Sequence, residues 1–176
     1  MTNCASNKIV LVPGCLLCPV YQVKYDEEKI HWRNEILLSL SNAGAGIIQM
    51  PCAEVLFGGI ENGLSRKPHG IRYYENIPGF KQHCAELANE TAQQIISLSN
   101  KGFQIKAILG IENSPTCAVN RIFTYGVGSE QRQGLYIGEL NRILKEKSME
   151  IPFIGITRHK KNQNKEIDML LKLLES

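Results

Sequence analysis

Ile9-Val10-Leu11-Val12, followed at once by Pro13-Gly14-Cys15, is a short apolar run that reads as a β-strand closing on a turn and a cysteine. The same sentence is written twice more. Gly46-Ile47-Ile48-Gln49-Met50 leads into Pro51-Cys52, and Ile105-Lys106-Ala107-Ile108-Leu109 leads into the stretch that holds Cys117. Pro152-Phe153-Ile154-Gly155-Ile156 reads as a fourth strand. Between these runs the apolar period changes to that of helices. Residues 27 to 42 carry Trp32, Ile36, Leu37 and Leu40 on one face and stop at Ala43-Gly44. Residues 80 to 100 carry Phe80, Cys84, Leu87, Ala88, Thr91, Ile95 and Leu98 and stop at Lys101-Gly102. Residues 134 to 148 present Tyr136, Leu140, Ile143 and Leu144. A last helix from about Asn164 presents Ile167, Leu170, Leu171 and Leu174. Strands alternating with helices predict a Rossmann-like α/β fold, a small parallel sheet of about four strands with helices on both faces. The stretches 51–79 and 111–133 read as long irregular strand-to-helix loops, and right-handed crossovers put both on one edge of the sheet.

At 176 residues one domain spanning 1–176 is the expectation, and a chain of this length can bury a real core. Hydrophobic residues make up 43% and charged residues 21%, the balance of an ordinary globular protein, with no long uncharged apolar stretch for a membrane span. The net charge of +3 is too small to argue for nucleic acid. The opening Met1-Thr2-Asn3-Cys4-Ala5-Ser6-Asn7-Lys8 lacks the charged-then-apolar pattern of a secretory signal. Six cysteines in such a chain point to a reducing, cytoplasmic setting, where thiols bind metal, react or pack rather than form disulfides.

Ligands of parallel sheets bind outside the C-terminal ends of the strands. Cys15, Cys52 and Cys117, far apart in sequence, are therefore expected to meet. Three thiolates can hold an iron–sulfur cluster at three corners and leave a fourth iron free for chemistry. The prolines and glycines beside them form turns whose backbone N–H groups can face sulfide. A buried cysteine taken alone is more often a small hydrophobe; three after three successive strands favour ligation. Cys84 lies on an apolar helix face and reads as core, and Cys4 as incidental. Cys18 stays open, because Cys15-x-x-Cys18 fits a redox pair as well as two ligands of one metal.

The segments Cys15-Leu16-Leu17-Cys18, Cys52-Ala53-Glu54 with Gly58-Gly59 and Arg66-Lys67-Pro68, and Ser114-Pro115-Thr116-Cys117, in that order, resemble the family of small desulfidases typified by 2-thiouracil desulfurase. The resemblance covers roughly the first 120 residues. It implies a [4Fe-4S] cluster held by Cys15, Cys52 and Cys117, whose fourth iron takes the sulfur of a thiocarbonyl. Water then replaces sulfur at carbon with no net redox change. Cys18 stands where the family has glycine, Ala53 where it has proline and Ala118 where it has glycine. The stretch between Gly59 and Arg66 is longer, and Tyr25-Asp26 matches a family pair at shifted spacing. These departures mark a divergent branch acting on a small thiolated metabolite or thionucleobase.

Such chemistry needs a base for water and an acid for the leaving group. Glu54, two residues past Cys52, is the best-placed carboxylate, with a structural carboxylate nearly as good a reading. Ser114 can hold substrate or water, or bond its own turn. Asp26, Arg66 and Glu112 are candidate substrate-binding residues; Asp26 also suits a helix N-cap, and Glu112 a solvated loop. Arg158-His159-Lys160-Lys161, with Lys165 beyond, forms a basic cluster that can take an anion. His31, His69 and His83 have no metal-like spacing. Two other functions remain open at this point: a non-catalytic iron–sulfur or nucleotide-binding sensor, and a thiol oxidoreductase using Cys15 and Cys18.

Overall fold

A computed structural model describes residues 7–21, 31–59, 70–158 and 160–175, and the side chains of all of these except 31, 32 and 160–163. In chain order the elements are β1 (Lys8–Pro13), α1 (Gly14–Leu17), a 3-10 turn over Pro19–Tyr21, α2 (His31–Asn42), β2 (Gly46–Met50), α3 (Ala53–Gly58), α4 (Ile71–Glu75), α5 (Phe80–Asn100), β3 (Gln104–Ile111), β4 (Arg121–Thr124), β5 (Gly128–Gln131), α6 (Leu135–Glu146), β6 (Phe153–Ile156) and α7 (Lys160–Glu175). Four strands pair in parallel in the order β2-β1-β3-β6, as the alternating pattern predicted. β4 and β5 form a separate antiparallel hairpin.

β1 and β3 lie in the middle of the sheet and are apolar on both sides, because each side meets a helix layer. Ile9 and Leu11 of β1 and Ile108 of β3 join Phe80, Leu87 and Ile95 of α5 and Tyr136, Leu140 and Leu144 of α6 in one core. Their neighbours Val10, Val12, Ala107, Leu109 and Ile111 turn the other way. They pack with Ile36 and Leu40 of α2 and Leu170 and Leu174 of α7. The period-2 alternation of a strand thus divides one apolar run between two cores. Among the described side chains, the helix faces read from the sequence are the buried ones, with Leu37, Leu98, Ile143, Ile167 and Leu171 half-buried at the margins; the side chain of Trp32 lies outside the described residues. The part of the first helix placed at 27–30 lies outside the described residues.

Two expectations change. The last helix begins four residues earlier than the apolar stripe suggested. The stretches read as irregular hold α3, α4 and the β4–β5 hairpin. α3 and α4 are six and five residues long, too short for a 3.6-residue period to declare itself. No helix among the described residues is long and apolar enough to cross a membrane.

The order β2-β1-β3 sends the chain from β1 to one side and then back across to the other. The switch point of the topology therefore falls between β1 and β3, at whose C-terminal ends ligands of such sheets bind. Register aligns the two strands beside it: Pro13 of β1 pairs with Met50 of β2, so Cys15 and Cys52 each fall two residues beyond a paired strand end.

Candidate functional site

Each of the three cysteines sits on a different kind of support. Cys15 lies in the single turn of α1, begun by Gly14 directly after β1. Cys52 is the N-cap of α3. Cys117 lies in the turn after β3, which doubles back so that its carbonyl accepts the Ile111 N–H at 3.0 Å. Two glycines make room for that return. A Cβ on Gly110 would lie 2.2 Å from the Cys117 carbonyl oxygen, and one on Gly134 would lie 2.4 Å from the Thr116 carbonyl carbon. The same segment caps α6. The Pro115 carbonyl accepts Leu135 N–H, the Thr116 carbonyl accepts Tyr136 and Ile137 N–H, and the Ala118 carbonyl accepts Gly134 N–H. Helix N-termini carry unpaired donors; here they are spent on holding the Cys117 loop.

The thiols feel one another. Burial pushes the Cys117 thiol well above the usual range, and Cys52 and then Cys15 push it further. Cys52 is pushed up to about 12 by burial and by the negative charge of Glu54, with Cys15 adding to it, while the N–H groups of Val55 and Glu54 pull it down. Burial also raises Cys15, against the pull of Arg158 and Arg33. Arg33 reaches in from α2 and donates to the Leu17 carbonyl at 2.5 Å, a contact across the fold with no sequence signal. Cys15 and Cys52 are partly exposed and Cys117 is buried; all are free thiols. Among the described residues, no three His, Cys, Asp or Glu side chains converge on a point where one metal ion would sit.

Glu54 is buried in the midst of them, 7% exposed. The sequence reading placed it in an extended turn; it lies instead in the first turn of α3. Its Oε1 accepts the Thr116 hydroxyl at 2.8 Å and its Oε2 the Tyr74 hydroxyl at 3.2 Å. Burial raises its pKa, and Thr116, Tyr74 and Arg158 hold it partly down. Ser114 Oγ accepts the N–H groups of Cys117 at 3.1 Å and Thr116 at 3.3 Å, and lies 3.3 Å from Thr116 Oγ1. A row of hydroxyls therefore runs from Ser114 through Thr116 to Glu54, with Tyr74 closing the far side. Thr116 Oγ1 is also 3.6 Å from Cys117 Sγ. Sequence reasoning passed over Thr116, although it lies inside a quoted motif. It missed Tyr74 because α4 was read as loop.

The remaining candidates separate from this group. Glu112 is buried with both oxygens engaged: Oε1 accepts Asn120 Nδ2 at 2.8 Å and Asn120 N–H at 3.2 Å, and Oε2 accepts Arg121 N–H at 2.9 Å. It stitches the loop after β3, and the solvated loop charge expected of it is not what the fold provides. Asp26, Arg66, His69, His159 and Cys4 lie outside the described residues, as do the side chains of His31 and Lys160. Arg158 is exposed, and its charge reaches Cys15 and Glu54. Cys84 is core, 1% exposed. His83 packs against Phe57 and Phe80. Cys18 is the partly exposed C-cap of α1.

No family model matches this chain. An uncharacterized protein of Methanocaldococcus jannaschii is 22% identical over 143 residues, spanning 81% of this chain and 81% of that protein. Among solved structures, the [4Fe-4S]-dependent thiouracil desulfidase TudS (DUF523) is similar with a TM-score of 0.54 and 20% identity, over 94% of this chain and 99% of that one. At that identity the likeness establishes the fold, and it is the fold of the family to which the sequence motifs pointed.

Proposed function

We propose that this chain is a [4Fe-4S]-dependent desulfidase that removes sulfur, as sulfide, from a small thiolated compound of thionucleobase type. The observation that carries the reading is geometric: Cys15 and Cys52 each lie two residues past a paired strand end, and Thr116, beside Cys117, donates its hydroxyl to the buried Glu54 two residues past Cys52. The donor set fits the group. Thiolate is a soft ligand, suited to iron–sulfur clusters and not to magnesium or calcium. Thiols whose pKa values are raised, as these three are, would stay protonated without a cation, whereas coordination deprotonates them outright. A cube of iron and sulfide takes each thiolate at a separate corner, so its ligands need not converge on one point. Cys15, Cys52 and Cys117 would hold three corners. When bound, the cluster supplies a Lewis-acidic iron with an open position for a soft sulfur atom.

The chain's own residues supply the proton handling. Water adds to the thiocarbonyl carbon, a carbon–oxygen bond forms and the carbon–sulfur bond breaks. The two protons of water leave with sulfur as hydrogen sulfide, and no electrons are exchanged. Glu54 takes the first proton of water on a carboxylate oxygen. Thr116 and Tyr74 fix that carboxylate from both sides, and Ser114 holds the turn that carries Thr116 and Cys117. That TudS is a thiouracil desulfidase supports the substrate class. Arg66 and Asp26 remain proposed substrate contacts from the sequence motifs.

Anaerobic reconstitution with iron and sulfide, followed by a screen of thiolated bases for released sulfide, tests the proposal. Expected are a cluster absorbance band that Cys15→Ala, Cys52→Ala or Cys117→Ala each abolishes, and sulfide release from at least one thiocarbonyl. A sound cluster with no release from any base would make the chain a sensor. Activity that survives without iron, and that depends on Cys18 but not on Cys117, would make it a thiol oxidoreductase.

A further inference from the structure

The apolar stripe of α2 opens on a charge. Ile36, Leu37 and Leu40 pack against the sheet. Arg33 stands one turn before them, at the i, i+3, i+4, i+7 spacing of a single helix face. A cation on a buried face is the exception among such positions, and it calls for partners. α1 joins the same apolar cluster: Leu16 is buried there, with Cys15 and Leu17 partly buried against it. Arg33 therefore lies on the face of α2 that meets the turn carrying Cys15.

Its nitrogens are unevenly used. Nη2 donates to the Leu17 carbonyl at 2.5 Å. Leu17 ends the four-residue α1, so its carbonyl has no acceptor role within that turn, and Arg33 ties the turn to α2 through it. Nε is buried without a hydrogen-bond partner, and Arg33 forms no ion pair among the described residues. The side chain is half-buried, so water screens its charge only in part. That charge reaches Cys15 and favours its ionised form against the effect of burial. Arg158 acts on Cys15 in the same sense but is exposed, where solvent takes up much of such an interaction.

We propose that Arg33 is the positioning residue for the Cys15 corner of the iron–sulfur cluster: it pins the α1 turn through the Leu17 carbonyl and sets a partly buried cation within reach of the thiolate that ligation creates at Cys15. The proposal rests on the cluster reading above. It gives the charge at the head of the α2 stripe its counter-charge, since a coordinating thiol is deprotonated outright.

Anaerobically reconstituted full chain tests it, with the absorbance band read first in the wild type. The reaction itself exchanges no electrons; the reduction potential is read as a gauge of charge at the cluster. Arg33→Gln removes a positive charge, so the potential should fall, and iron loss to a chelator should quicken about tenfold or more, as for other groups that support metal ligands. Arg33→Lys keeps the cation without the planar fork. It should restore the potential while still losing iron a few-fold faster than wild type. Arg142→Gln makes the same charge change on the exposed face of α6 and should move neither reading. Thermal melts of the metal-free variants check that they fold. A wild type without the band overturns the cluster reading and this proposal together. A sound band with folded Arg33→Gln matching the wild type in potential and iron loss overturns this proposal alone, as does a potential that Arg33→Lys fails to restore. Should metal-free Arg33→Gln melt below the assay temperature, Arg33→Lys decides alone, and iron loss at the wild-type rate overturns the proposal.

Discussion

Two stretches of the same sheet rim handle polar groups in opposite ways. Beyond β1, β2 and β3, two partly exposed thiols and a buried one stand with a buried carboxyl, their pKa values raised by burial, and the hydroxyls of Thr116 and Tyr74 are spent on that carboxyl. Beyond β6 lies an open cavity lined in part by Glu112, Arg121, Thr157, Lys165 and Glu166, whose two carboxylates accept hydrogen bonds from the protein and whose Arg121 and Lys165 are exposed. Both lie over strand ends of one parallel sheet. The difference comes from what covers them. The loop that carries Cys117 packs closely on Gly110 and Gly134 at the thiol end, while β6 is an edge strand. Topology brings both groups of residues to one rim of the sheet, and the packing of a few loop residues sets how each end is covered.

The largest break in this contrast comes from the cysteines. Removing Cys117 should abolish the reconstituted absorbance band, whereas Cys84→Ala, equally buried but set among Phe80, Leu87 and Ala88, should lower stability and leave the band intact. Next is Glu54→Gln. It keeps the shape and one of the two hydrogen-bond acceptors but removes the base, so sulfide release should fall by roughly 100- to 10,000-fold while the cluster band persists. Third, Gly110→Ala forces a methyl against the Cys117 carbonyl and should cost about 1–3 kcal/mol in urea unfolding. Gly138→Ala, in the middle of α6 with its nearest neighbour at 3.5 Å, should instead gain about 0.5–1 kcal/mol. Equal effects at the two glycines would remove the argument that the loop is wedged. Fourth, Tyr74→Phe deletes one donor to Glu54 and should cost about 1 kcal/mol of stability.

The smallest effect belongs to the open end. Burial raises Glu166 above the ordinary carboxyl value, with Glu112 adding to it and Arg121 and Thr157 opposing. A carboxyl raised on folding favours the folded state while protonated. Its contribution is therefore complete below the unfolded pKa and is lost as pH rises through the folded one. Urea midpoints of wild type and Glu166→Gln, compared from pH 4 upward, should show the wild type losing ground to the variant over that window. A difference that is constant with pH would mean that Glu166 titrates as an exposed carboxyl does.

Much of this was legible beforehand, for identifiable reasons. Ile9-Val10-Leu11-Val12 and its two counterparts are apolar because they lie between helix layers, and strand ends dictate where Cys15 and Cys52 emerge. The face of α5 could be read because 21 residues give the helical period room to repeat. Tyr74 could not be read, since α4 spans only five residues and its partner Glu54 is 20 residues away. Glu112 was misjudged because nothing local reveals that Asn120 and Arg121 return to bind it.

By itself, then, the sequence determined the parallel α/β sheet, its flanking helices and the edge at which three cysteines emerge, because hydrophobic period and turn residues are local and repeat often enough to be read. Tertiary structure alone decided that Thr116 and Tyr74 clamp Glu54, that Gly110 and Gly134 hold Cys117 in place, and that Arg121, Thr157 and Lys165 share a cavity. Those pairings join residues distant in the chain, and the hydrogen bonds and steric limits that select them exist only once the sheet has formed.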